Sequence, residues 1–221
     1  MDFKAAIFDL DGTLLDSLQD LYLTMREVLT LSGYPPIEKE QVRKLIGNGA
    51  RDFMKYSLPP HARQEENVDL HLDVYHRTYK KYALKNTRPY PFVEDILIKL
   101  KKKNIKIAVL SNKPHYATVR VVERFFPHIE FDAVLGQKDD FPPKPDIASA
   151  IYLADVLSVE PDKAAFIGDG ETDTIVALKA GFYQIAALWG YRTREELEAV
   201  GAENFAATPR ELYGIFGIEE N

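Results

Sequence analysis

Short apolar runs that break off at polar clusters set the rhythm of this chain. Ala5-Ala6-Ile7-Phe8 stops at Asp9, the run 105–110 stops at Ser111-Asn112-Lys113, and Ala164-Ala165-Phe166-Ile167 stops at Gly168-Asp169. Weaker versions are Ala133-Val134-Leu135 and the run 184–188. Near-continuous runs of this length read as strands buried on both faces, as in a parallel sheet. Helical patterns lie between them. Residues 93–103 place Ile96, Leu97 and Leu100 on one face, with Lys101-Lys102-Lys103 at the end where a helix dipole favours cations. Residues 116–126, 147–157 and 172–180 are further helices, the last stopped by Gly181. Strand and helix alternate from about residue 88 onward, which predicts an α/β fold around a parallel sheet.

Residues 15–86 break that alternation. Helical patterns dominate at 18–31, 39–46, 52–58 and 62–85, punctuated by Gly33-Tyr34-Pro35-Pro36 and Leu58-Pro59-Pro60. The expected organisation is a core of residues 1–14 and 87–221 carrying an all-helical insert at 15–86. The first strand belongs with the later ones because its end carries matching chemistry.

Composition narrows the function. With 46% hydrophobic and 28% charged residues the chain is an ordinary globular protein. The absence of cysteine excludes a disulfide framework, a thiolate nucleophile and a Cys-ligated metal. A net charge of -6 gives no global attraction for nucleic acid or an anionic membrane. The opening apolar run is too short for a signal segment or a span, so the expected compartment is the cytoplasm.

Ligands of open α/β sheets bind at the carboxyl ends of the strands, and three such ends are dense in polar residues. They are Asp9-Leu10-Asp11-Gly12-Thr13, Ser111-Asn112-Lys113 and Gly168-Asp169 through Asp173. A lysine between prolines, Pro142-Pro143-Lys144-Pro145, precedes the third strand by one helix. Each has a plainer reading. Asp-x-Asp-Gly-Thr suits a turn, Asp169 and Asp173 suit the start of a helix, Ser111 suits a cap, and Lys144 suits a solvated loop. A site reading rests on their combination. Carboxylates at i and i+2 of extended chain project to one side, and two carboxylates sharing a site repel unless a cation or a proton separates them. A hard cation such as Mg2+ suits oxygen ligands of this kind. The histidines His61, His71 and His76 show no metal spacing, and Trp189 reads as packing.

In order and content these four segments resemble the motifs of the haloacid dehalogenase superfamily, in its phosphatase branch. Locally, Leu45-Ile46-Gly47-Asn48-Gly49, Arg88-Pro89-Tyr90-Pro91-Phe92 and Leu110-Ser111-Asn112-Lys113-Pro114 resemble bacterial phosphoglycolate phosphatases. The chain departs from the common pattern at Phe92, Ile147 and Gly170, none of which replaces a side chain the core chemistry requires. The resemblance implies a Rossmann-like core with a helical cap and Mg2+-dependent hydrolysis of a small phosphorylated metabolite through a phosphoaspartyl enzyme. Phosphoglycolate is the expected substrate. It further implies Asp9 as nucleophile, Asp11 as general acid and base, and Lys144 and Ser111 as catalytic groups. The metal would be held by Asp9, the carbonyl of Asp11, Asp169 and Asp173, and phosphate by Thr13, Ser111, Asn112 and Lys144. Arg43, Gly47, Asn48, Gly49 and Arg51 are the candidate leaving-group contacts, although Gly47-Asn48-Gly49 equally suits a plain turn and Arg43 reads better as a surface or structural arginine than as a direct ligand. A phosphomutase of the beta-phosphoglucomutase type, a pyrophosphatase and a nucleotide phosphatase remain open within the same superfamily. No nucleic-acid or membrane partner is expected, and the chain would act as a monomer or homodimer.

Overall fold

The structure, a computed structural model, describes residues 2–219. Strand β1 (Ala5–Phe8) begins the sheet and is followed by the two-residue strand β2 (Leu15–Asp16). Four helices come next: α1 (Leu18–Leu31), α2 (Lys39–Leu45), α3 (Ala50–Ser57) and α4 (Glu65–Tyr82). Strand β3 (Arg88–Pro89) then returns the chain to the alternating part. That part runs α5 (Val93–Lys102), β4 (Lys106–Pro114), α6 (His115–Phe125), β5 (Ala133–Gln137), α7 (Ala148–Leu157), β6 (Ala164–Gly168), α8 (Glu171–Ala180) and β7 (Tyr183–Ala187). It closes with α9 (Arg194–Glu198), β8 (Phe205–Ala206) and α10 (Leu212–Ile215).

Six strands form one parallel sheet in the order β5-β4-β1-β6-β7-β8. The apolar runs are continuous because both faces of the sheet are covered. Ala6 and Phe8 of β1, Ile107 and Val109 of β4 and Ala165 and Ile167 of β6 enter one hydrophobic cluster. Their neighbours Ala5, Ile7, Ala108, Leu110, Ala164 and Phe166 enter the cluster on the other face. This period-2 sorting is what a strand imposes on its side chains. The sequence stopped the second long strand at Leu110, but β4 extends to Pro114 and carries Ser111-Asn112-Lys113 within it. Its register against β5 shifts between Leu110 and Pro114, an irregularity in the pairing at that point.

The four helices build a cap with its own core. Leu21, Met25, Val28 and Leu29 line the inner stripe of α1 and meet Val42, Phe53, Met54 and Val68, the spacing of an amphipathic helix. Tyr191, from beyond β7, inserts into the same cluster. The cap joins the sheet through β2 and β3, which pair antiparallel as Leu15 with Pro89 and Asp16 with Arg88. Just above this ribbon Asp20, 1% exposed, accepts bonds from the backbone and side chains of Asn86 and Thr87 at 2.6–3.2 Å. Among the described residues no helix is long and apolar enough to cross a membrane.

Candidate active site

The carboxyl ends of β1, β4 and β6, adjacent in the sheet, bring the polar segments together. Asp9 follows β1 and its N–H donates to Ile167 O at 2.9 Å. Beyond it the chain folds back so tightly that the N–H groups of Leu14 and Leu15 both reach Leu10 O. Gly12 makes this turn with φ +94°, and a Cβ there would lie 2.2 Å from Asp169 Oδ2. Only glycine tolerates both conditions. Gly190 presses on Asp169 from the other side, again at 2.2 Å for a hypothetical Cβ.

Lys144 is the centre of the site. Its Nζ donates to Asp9 Oδ1 at 2.8 Å, Asp173 Oδ1 at 2.6 Å and Leu110 O at 2.9 Å. These three acceptors use all the donors an ammonium has. The side chain is 3% exposed. Burial opposes its charge, but Asp173 and Asp9 outweigh burial and hold the ammonium above its ordinary value. The backbone origin of Lys144 is fixed by Asn112, whose Oδ1 accepts from Lys144 N at 2.8 Å while its Nδ2 donates to Lys144 O at 2.9 Å. The same Nδ2 reaches Gly47 O in the cap at 2.9 Å. Asn112 thus grips the lysine loop with one carboxamide and touches the cap with it.

The acids fall into two groups. Asp9, Asp169 and Asp173 are buried, and one ligand oxygen from each lies within 4.8 Å of the others. Burial, with the charge of Asp173 and against the pull of Lys144, raises the Asp9 carboxyl to about 7. Burial and the charges of Asp9 and Asp173 raise Asp169 to about 8. Once ionised, the three carboxylates carry more negative charge than the one ammonium can offset, and an oxygen-loving divalent cation is the group this donor set fits. Asp173 also accepts from Gly170 N at 3.0 Å at the start of α8. One oxygen of Asp173 thus serves the start of the helix and the other the lysine.

Asp11 stands apart. Its Oδ1 accepts from Ser17 Oγ at 2.6 Å and its Oδ2 from Lys113 Nζ at 2.5 Å. Lys113 is buried yet held above its ordinary value, because Asp11, Tyr79 and Tyr75 overcome the burial that opposes its charge. The sequence offered no role for Lys113. Ser111 and Lys113 are i and i+2 on a strand that continues past its expected end, and that spacing is the signal that places them on one side.

The remaining expected contacts divide. Ser111 lines the cleft with Asp9, Asp11 and Asn112. Thr13 is near the site, but its hydroxyl donates to Asp169 Oδ1 at 2.9 Å, so its visible partner is an acid. Trp189 Nε1 donates to Thr13 O at 2.9 Å and fixes the loop. In the cap, Gly47 and Gly49 line the cleft while Asn48 does not. Neither Arg43 nor Arg51 reaches it: Arg43 pairs with Glu40, and Arg51 with Asp69 and Glu65. Both lie on the cap surface, where a nearby carboxylate captures a long flexible guanidinium. Arg43 takes part through its carbonyl instead. Buried Arg192, absent from the expected set, donates to the carbonyls of Arg43, Lys44 and Ile46 at 2.9–3.0 Å and pairs with Glu171 at 2.7 Å. Its partners are backbone atoms nearly 150 positions away, and no side-chain pattern announces such a contact.

The sequence profile of the haloacid dehalogenase-like hydrolases matches residues 6–187, from within β1 to the end of β7 and so most of the chain. A phosphoglycolate phosphatase of Aquifex aeolicus is 31% identical over 188 residues, covering 85% of this chain and 86% of that protein. One from Psychrobacter arcticus is 30% identical over 203 residues, covering 89% and 88%. A solved structure from Lactobacillus delbrueckii subsp. bulgaricus superposes with a TM-score of 0.91 at 29% identity, covering 100% of both chains. With its catalytic-looking strand ends, its fold and most of its length matched together, this chain belongs to the haloacid dehalogenase-like hydrolase family.

Proposed function

We propose that the chain is a Mg2+-dependent phosphatase acting on a small phosphate monoester, with phosphoglycolate as substrate, through a phosphoaspartyl enzyme. The observation that carries this reading is Lys144 bonded between Asp9 and Asp173 beside Asp169. The relatives named phosphoglycolate phosphatase support the substrate. We take residues 15–86 as the cap and residues 1–14 and 87–221 as the core.

Asp9 attacks phosphorus, and the bond to the ester oxygen breaks as the new P–O bond forms. Two anions about 4 Å apart repel by roughly 4 kcal/mol at an effective dielectric near 20. Lys144 offsets part of this at Asp9 itself. Asp9, Asp169, Asp173 and the carbonyl of Asp11 would hold Mg2+. When bound, the metal supplies charge neutralisation for the phosphoryl oxygens. Ser111 and the backbone around Asn112 position those oxygens, and positioning with electrostatics supplies most of phosphoryl-transfer catalysis. Asp11 gives its proton to the departing alkoxide. Water then attacks the phosphoaspartate, Asp11 takes the water's proton, and the bond to Asp9 breaks, returning phosphate and free enzyme.

The test is phosphate release from phosphoglycolate in Mg2+, with EDTA, and with Asp9→Asn. Release is expected only from the wild type in Mg2+. Undiminished release by Asp9→Asn overturns the nucleophile, and undiminished release in EDTA overturns the metal.

A further inference from the structure

The cleft above Asp9 has a polar floor and an apolar roof. The cap contributes Leu21, Ile46, Phe53 and Tyr75 to its wall, together with the backbone of its glycine loop, and no charged side chain. The cap arginines flanking that loop are committed to carboxylates of the cap itself. Lys144 does not line the cleft and has its three acceptors already. Among the described residues one cationic side chain remains on the cleft wall, Lys113.

Its setting is specific. Nζ of Lys113 is bonded to Asp11 Oδ2 at 2.5 Å and lies 5.2 Å from the ring centroid of Tyr79. An ammonium has three N–H donors, so Asp11 and the aromatic face leave a direction for a further acceptor. Asp11 is the residue assigned to the ester oxygen of the leaving group. In a phosphorylated 2-hydroxy acid a single carbon separates that oxygen from a carboxylate. A cation meant for the carboxylate therefore has to sit beside the residue that handles the oxygen, and Lys113 does. A carboxylate placed under this roof without a cation would lose its hydration with nothing in return. An uncharged alcohol leaving group would make no demand on Lys113.

We propose that Lys113 is the specificity-determining residue of the cleft, binding the carboxylate of a phosphorylated small hydroxy acid and selecting such substrates over phosphate esters of neutral alcohols. The inference rests on the phosphatase reading above and adds the side chain that would set its substrate class. It differs from a purely structural role in one respect. A lysine that only holds Asp11 affects every substrate alike, whereas a carboxylate receptor affects acids alone.

The experiment measures kcat/KM for phosphoglycolate and for ethyl phosphate, a similar ester without the carboxylate. The readout is their ratio, in which any effect through Asp11 common to both esters cancels. Wild type is expected to favour phosphoglycolate by about 100-fold, the scale of one hydrogen-bonded charge pair. Lys113→Met is expected to bring the ratio to within about threefold of unity, and Lys113→Arg to keep most of the preference. A ratio unmoved in Lys113→Met, with both esters slowed together, overturns the proposal and leaves the phosphatase reading standing. Wild type turning over ethyl phosphate as well as phosphoglycolate overturns the phosphoglycolate reading, and this inference with it, before any variant is made. A second measurement needs no variant: glycolate should inhibit wild-type hydrolysis of ethyl phosphate and ethylene glycol should not. Equal inhibition by the two overturns the role of Lys113.

Discussion

The floor and the roof of the cleft are built on opposite plans. On the floor, polar side chains are buried and bonded to one another: Lys144 to Asp9 and Asp173, Asn112 to the Lys144 backbone, Thr13 to Asp169. On the roof, apolar side chains face the cleft, and Arg43, Arg51 and Lys55 turn to carboxylates on the cap surface. Charges in a water-poor floor act at low effective dielectric and reach full strength there. Charges on the roof surface are screened by solvent and contribute little. Under the proposed function, this difference gives chemistry to the sheet and exclusion of water to the cap.

The sharpest way to break this contrast is Lys144→Met. It should reduce kcat by about 10³-fold. It also leaves Asp9 and Asp173 buried without their cation, which should destabilise the protein by about 3 kcal/mol or more. Mg2+ should restore part of that loss in thermal unfolding, because the cation would take over the charge. A small change in both kcat and stability would mean the floor is more solvated than its burial indicates.

Arg192→Met tests the link between the two plans. Arg192 belongs to the core, yet it holds three carbonyls at the end of α2. Loss of this grip should raise KM about 10-fold with a smaller effect on kcat, the pattern of a cap that docks less often. An unchanged KM would show that Asn112 and the inserted Tyr191 suffice.

Acidity distinguishes floor from roof without mutation. Asp9 and Asp169 stand at about 7 and about 8, both above the ordinary carboxyl value of 3.8. A folded-state value above the unfolded one contributes stability that is complete below about pH 4 and is lost as pH rises through 7 and 8. Metal-free protein should accordingly lose Tm between about pH 4 and pH 8, and saturating Mg2+ should flatten that decline. The affinity for Mg2+ should rise over the same interval as protons leave the ligands. A metal-free Tm that climbs through this range would contradict the burial assigned to the two acids.

The smallest expected effect is Arg51→Gln. Arg51 is bonded to Asp69 and Glu65 at the cap surface, so kcat/KM should change less than about twofold. A larger loss would return Arg51 to the leaving-group contacts expected from the sequence.

What the sequence made legible follows the same division. Strands buried on both faces give unbroken apolar runs, and the polar residues that end them gain meaning from recurring together at several strand ends, so β1, β4, β6 and their ends were readable. The ribbon of β2 and β3 was not, since two residues per strand carry no periodicity. Strand β8 and helices α9 and α10 were missed for the same reason of length. Contacts to backbone were invisible in general: Arg192 to cap carbonyls, Asn112 to Gly47 and Lys144, Asp20 to Asn86 and Thr87. A carbonyl has the same identity in every residue, so the composition of the partner says nothing. The cap arginines went the other way. Their type suited an anion, and the anions they meet in the structure are carboxylates of the cap itself.

The paired strands β2 and β3 carry one more consequence. Leu15 faces Pro89 and Asp16 faces Arg88, so the chain departs from the sheet and comes back at adjacent points. From the side of the sheet, everything between those points is a closed excursion whose ends are already tied. Closing a loop whose ends must meet anyway grows only slowly more expensive with its length. The core is therefore a socket indifferent to the size of what it carries, and different lids could be grafted at this joint without altering a single strand pairing beneath it.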